Sequence, residues 1–350
     1  MSLQRTEIEL GWPPKEQILQ PQGAGAAVNA TLAREKVGRS LGSLEGAADA
    51  QIGILSLDPS TNETQAPLAL VCNFLRPVPV QTLAELQRLA WNFSRTPLLL
   101  TVEPHRLRAF TCYKRPSQVV HLLTRSEVNN DTLPSEIDKA HYNFTDRATQ
   151  TDHLTNQATH ALHWLELASG RFLQRYKQYF PHEERADSLL LDNLQIVRSR
   201  LHGQKLEDDI IHDLLARVIF IQFLFHRRDA NGHTALDPLY LRRLHKRGVL
   251  AAPYQSLGEI LTHHADSYQL FRYLNDRFNG DLFPGKGSDP EESEREWHVE
   301  MKAVHPEHLL LLSDFVEGRL QMRSGQLSLW PHYSFDVIPL EFLHRTYFFY

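Results

Sequence analysis

From Gln51 the chain alternates short apolar runs with turn residues. Ile52–Leu57, Leu68–Leu75, Leu98–Glu103 and Arg106–Tyr113 predict strands, and Pro104-His105 predicts a tight hairpin joining the last two. Between them, Val80–Trp91 carries Leu83, Leu86, Leu89 and Ala90 at the spacing that covers one face of a helix. The first 50 residues are less regular: Gly23-Ala-Gly25-Ala-Ala precedes a short helix expected near Val28–Leu41. Asn129-Asn130-Asp131 and Pro134-Ser135 mark a linker.

Beyond the linker the period is helical. Leu190, Leu194, Val197 and Leu201 lie about one turn apart, and Gly203 ends the run. Leu214–Phe225 is apolar nearly all round, as a central buried helix is. Glu207-Asp208-Asp209 stands before it and Arg227-Arg228 after it, each on the side the helix macrodipole favours. Arg217, inside that helix, is expected to snorkel or to pair with Asp213 four residues back. Ser256-x-x-Glu259 has the form of a capping box. Leu270, Phe271, Leu274 and Phe278 form one stripe, with Gly280 placed to cap it. Pro306 suits the first turn of a helix reaching Glu317, and Asp289–Glu296 reads as an exposed acidic loop. The pattern predicts an α+β protein: a small mixed α/β domain at 1–125, linker and helix at 126–184, and a mainly helical domain at 185–350.

Composition narrows the class. Hydrophobic residues at 42% and charged residues at 23% are globular values. No apolar run is long enough for a bilayer span, since Gln222 and His226-Arg227-Arg228 close the strongest one. The N-terminus has no secretory signal pattern. Two cysteines, Cys72 and Cys112, exclude a disulfide framework and a four-cysteine metal site. A cytoplasmic protein without a membrane partner is the expectation. The net charge of −5 falls wholly on residues 151–350, which hold 22 basic and 27 acidic residues. Yet within Arg217–Arg247 seven basic residues face only Asp229 and Asp237. Phosphate binding follows local basic surface rather than net charge, so Arg227, Arg228, Arg242, Arg243, Lys246 and Arg247 are candidate contacts to a nucleic-acid backbone. Charge alone also fits a solvated cluster at helix ends.

Catalytic patterns are sparse. His160-x-x-His163 and His263-His264 lack a third ligand at metal spacing. Gly23-x-Gly25 and Gly285-Lys286-Gly287-Ser288 lack the frameworks of nucleotide loops. Glu300-Met301-Lys302 has the residue types of a magnesium-dependent nuclease, but Trp297–Val304 reads as helix or loop rather than strand. Glu103 ends a strand but has no lysine two residues on. Trp12-Pro13-Pro14-Lys15 has prolines without the flanking residues of a base-flipping methyltransferase loop. Catalysis by this chain alone is not expected, with no catalytic residue, metal or cofactor assigned to it.

Three strings go further: LLARVIFIQFLFHRRDANG (Leu214–Gly232), RYLNDRFNGDLFPGKG (Arg272–Gly287) and GQLSLWPHYSFDVIPLEFLHRTY (Gly325–Tyr347). Together they resemble the helical region that precedes the methyltransferase domain in bacterial restriction–modification proteins with adenine-specific DNA methyltransferase activity. The resemblance covers about residues 185–350. It implies double-stranded DNA as partner and a connector that positions a methyltransferase module. It also implies that S-adenosylmethionine belongs to a domain beyond Tyr350, the chain stopping before any cofactor motif. In such proteins a nuclease often comes first, so the small domain is expected as its counterpart, with magnesium as cofactor if it cleaves. Two alternatives stay open: a metal-dependent endonuclease in the N-terminal domain, and a non-catalytic helical adaptor for a separate methyltransferase subunit.

Overall fold

The apolar strands lie side by side in one mixed sheet. The computed structural model describes residues 2–60, 67–104, 106–114, 142–143, 161–229, 233–278, 282–284, 289–322, 327 and 333–338. The sheet has the order β1 (Gln51–Leu55), β2 (Ala69–Asn73), β3 (Leu98–Val102), β4 (Arg106–Thr111) and the two-residue β5 (Tyr142–Asn143). Neighbours are antiparallel except β2 and β3, which are parallel with Ala69 opposite Leu98 and Asn73 opposite Val102. Parallel neighbours need a crossover, and α4 (Val80–Phe93) supplies it. Ser94 closes α4 in a left-handed conformation, its N–H bonded to the Ala90 carbonyl. Glu103 and Arg106 exchange backbone hydrogen bonds across the expected hairpin. His105, the Asn129–Ser135 linker, His160, Asn279–Asp281, Gly285–Ser288, Trp330 and Leu340–Tyr350 lie outside the described residues.

Both faces of the sheet are buried, which is why its strands read as near-continuous apolar runs. Ile54, Leu70, Cys72, Leu99 and Phe110 share one core with Leu83, Leu86, Leu89 and Phe93 of α4. Ala30 and Ala33 of α3 (Ala24–Ala33) join the same core. Leu55, Val71, Leu98, Leu100, Leu107 and Ala109 point into the opposite core. There they meet Leu3 and Leu10 of α1 (Ser2–Leu10), Trp12, Ile18 of α2 (Lys15–Leu19), Leu167 of α5 (Trp164–Ala168) and Phe172 of α6 (Arg171–Arg175). The layers are therefore helix, sheet, helix. The helix expected at Val28–Leu41 begins earlier, at Ala24, because Gly23 takes the extended N-cap conformation. It is then interrupted by a π-turn, Arg34–Gly38, before its last turn Arg39–Leu41. The strands are also shorter than the apolar runs: Leu57 and Leu75 lie beyond the ladders and are exposed. The described residues divide into two units, one within Met1–Ser188 together with Val337 and Ile338, the other within Leu189–Asp336.

The second unit is helical: α7 (Ala186–Gly203, shared at its start with the first unit), α8 (Asp208–His226), α9 (Pro238–Lys246), α10 (Leu257–Leu261), α11 (His264–Phe278), α12 (Pro290–Ala303) and α13 (Pro306–Val316). Leu214, Val218 and Ile221 bury α8, although Phe220 and Phe223 are only half-buried. Ser256 caps α10 by accepting the Glu259 N–H, and Ser313 of α13 donates to the Gly258 carbonyl. One expectation is overturned: Asp289–Glu296 is not a loop but runs into α12. Asp289 accepts the Glu291 N–H, Pro290 presets the first turn, and Glu291 and Glu292 sit where the macrodipole favours negative charge. Trp297 and Glu300 bury the inner face of that helix.

Candidate nucleic-acid interface

Glu300 shows first what the second unit does with its acids. Arg217, fully buried in α8, donates from Nη2 to Glu300 Oε2 at 2.7 Å and forms a second bond to Oε1 at 2.5 Å. Its Nε also donates to the Leu282 carbonyl. The expected partner Asp213 is replaced because Arg217 points inward, while Asp213 faces His212 in a half-exposed position. Tyr268 of α11 donates to Glu300 Oε1 at 2.9 Å, and burial followed by the adjacent carboxylate pushes its phenol well above the usual range. A carboxylate neutralised in this way and mounted on a helix is a poor magnesium ligand. Glu103 is likewise engaged: it accepts the Val78 N–H and lies 3.5 Å from Arg108. His264 bonds the Val304 carbonyl and His163 accepts the Leu165 N–H as the N-cap of α5. Among the described residues no group of three His, Cys, Asp or Glu is placed to hold a metal. S-adenosylmethionine fits no better, because the turn from β2 into α4, Phe74-Leu-Arg-Pro-Val-Pro79, has two prolines and no glycine to let the backbone approach a cofactor.

The six basic residues singled out in the sequence are all exposed. Asp237 starts α9 by accepting the Tyr240 N–H. Leu241 and Leu244 then turn inward, which leaves Arg242, Arg243, Lys246 and Arg247 on the outer side of its last turns. Cations are also favoured there by the C-terminal end of the macrodipole. Arg227 and Arg228 stand where α8 stops: Arg227 lies over the Phe223 ring, and Arg228 is bridged to Thr234. The structure therefore brings four of the six together on α9 and leaves two at the end of α8.

Three residues that sequence reasoning missed join the α9 group. Tyr240 and Tyr273 share a hydrogen bond between their hydroxyls, with ring centroids 6.4 Å apart. Arg277 of α11 donates to the Tyr240 hydroxyl. No local spacing links Tyr240 to Tyr273 and Arg277, which stand one turn apart on α11; only the packing of α9 beside α11 does. Burial pushes the Tyr240 phenol upward, Tyr273 adds to this, and Arg277 and Arg247 oppose it. Among the described residues, Arg242, Arg243, Lys246, Arg247 and Arg277 have no carboxylate within 4 Å. Other arginines of this unit do: Arg198 faces Asp208, Arg272 faces Glu294, and Arg319 faces Asp314. Tyr333 and Phe335 are buried packing aromatics, with Phe335 against His226.

No helix of the described residues is long and apolar enough to cross a membrane. Comparison of the chain with protein-family models, with curated proteins and with solved structures finds no match.

Proposed function

We propose that this chain is the DNA-contacting part of an adenine-specific DNA modification system and that it holds duplex DNA by its phosphates. On this reading it positions a methyltransferase that another domain or subunit supplies. The observation that carries the DNA contact is the α9 surface: three exposed cations on one side of a nine-residue helix and Arg247 at its C-cap, none answered by a carboxylate among the described residues. Unanswered cations repel one another, and an anion removes that repulsion. The link to adenine methylation rests on the three strings at 214–232, 272–287 and 325–347. Backbone contacts carry no base information, so binding should be independent of sequence. The test is fluorescence anisotropy of a labelled duplex with the purified chain at low and rising salt. Binding that steepens as salt falls supports the reading. No binding at about 50 mM salt, where phosphate contacts are strong, rejects it in favour of an adaptor that touches only protein.

A further inference from the structure

The Tyr240 ring does more than fill space between α9 and α11. The Arg243 guanidinium carbon lies 5.0 Å from its centroid and that of Arg277 lies 5.4 Å away. Arg277 also donates to the Tyr240 hydroxyl, which is itself tied to Tyr273. Among the described residues Arg243 makes no side-chain hydrogen bond, and Arg277 makes one. Two exposed guanidiniums from different helices thus meet one half-buried ring. Of the acids nearest in sequence, Asp237 caps α9, and Asp276 makes no ion pair with either guanidinium among the described residues.

We infer that Arg243 and Arg277, held on Tyr240, form a preorganised clamp for a phosphate group. A guanidinium presents a rigid fork of donors, and a phosphate has enough acceptor oxygens to take two forks at once, whereas a planar carboxylate is matched by one. Stacking on an aromatic face fixes the orientation of each fork before the ligand arrives. Both guanidiniums contact the ring, so it serves as a platform for phosphate donors rather than a stacking surface for a base. Tyr240 is then a positioning residue, and the ligand chemistry is a phosphate of a nucleic-acid backbone or of a free polyphosphate. The nucleic-acid source rests on the function proposed above; the clamp itself does not.

Tyr240→Ala and Arg277→Lys leave the charge unchanged and remove the platform or one fork. With the full chain, affinity for labelled duplex and for tripolyphosphate should fall about fivefold in each variant, the scale of a partly desolvated cation–π contact. Tyr240→Phe, which keeps the ring and loses the hydroxyl, should lie between them and the wild type. Wild-type affinity for both probes in Tyr240→Ala and Arg277→Lys overturns the clamp, while duplex binding by the wild type still leaves the DNA reading standing. Tripolyphosphate binding lost in Tyr240→Ala, without duplex binding by any form, supports the clamp and rejects the DNA reading. Failure of the wild type with both probes rejects both. A polyglutamate peptide bound as tightly as tripolyphosphate overturns the phosphate assignment. If Tyr240→Ala shifts the unfolding midpoint, the exposed Arg277→Lys decides.

Discussion

A guanidinium taken wholly out of water needs its charge and its donors answered, and Arg217 has both: two bonds to Glu300 and one to the Leu282 carbonyl. Removing one partner leaves the other charge stranded, so Glu300→Ala should destabilise the second unit by about 3–5 kcal/mol in urea unfolding. Replacing the pair together, Arg217→Met with Glu300→Leu, should cost less, because no charge is left stranded and only the Leu282 carbonyl and the Tyr268 hydroxyl lose a partner. A double mutant as unstable as Glu300→Ala would show that geometry, not charge, dominates there. In the first unit the two thiols behave oppositely to reactive cysteines. Burial pushes the Cys112 thiol up to about 12, and it raises Cys72 as well. The unfolded thiols ionise near about pH 8.5 while the folded ones stay protonated, so stability is held below that pH and declines as pH rises toward 12. Cys112→Ala with Cys72→Ala should flatten that alkaline decline, measured as unfolding midpoint against pH. An unaltered slope in the double variant would assign the decline to other groups.

At the scale of elements, backbone approach and side-chain volume set the limits. A Cβ on Gly53 of β1 would fall 2.4 Å from the Ile18 carbonyl of α2, so the helix end lies directly on the strand. Gly53→Ala should cost about 1–3 kcal/mol by forcing α2 away from the sheet. An unmoved midpoint would mean that α2 yields freely. In α8, Ile221→Ala should cost about 2–5 kcal/mol, whereas the half-buried Phe220 should lose less than the about 3–5 kcal/mol of a fully buried ring. A larger loss at Phe220 would place the weight on its edge contacts with Phe278 and Phe283. These elements were largely legible beforehand. Leu83, Leu86 and Leu89 announced α4 by period, and Ser256 with Glu259 announced α10 by capping chemistry, because both signals are local. What local pattern cannot carry is partnership across the chain. Glu300 lies 83 residues from Arg217, and the acids of Asp289–Glu296, which are mostly exposed, read as loop because the residues that bury α12, Trp297 and Glu300, come only after that run. The parallel pairing of β2 with β3 likewise depends on a crossover, not on either strand alone. In the candidate interface the basic residues were visible in the sequence, but their organisation on Tyr240 was not, since Arg277 reaches it from another helix.

At the scale of the whole molecule, a net charge of −5 should keep weak DNA binding confined to the basic surface and make it sensitive to salt. Each phosphate neutralised releases condensed counterions, so four contacts by Arg242, Arg243, Lys246 and Arg247 give a log–log slope of about −3.6. Arg242→Ala with Arg243→Ala should flatten that slope by about two if both touch phosphate. The acidic residues of α12 act in the opposite sense. Deleting that segment is no clean test, because Trp297 and Glu300 belong to the core. Glu291→Gln with Glu292→Gln removes two exposed charges and leaves the inner face intact. Long-range repulsion screened over about 10 Å at 0.1 M salt would then make these variants bind duplex more tightly at low salt and no differently at high salt. Equal affinity at both salts would show that α12 lies beyond the reach of the bound strand, whereas a gain that persists at high salt would point to direct contact rather than to the field of the molecule.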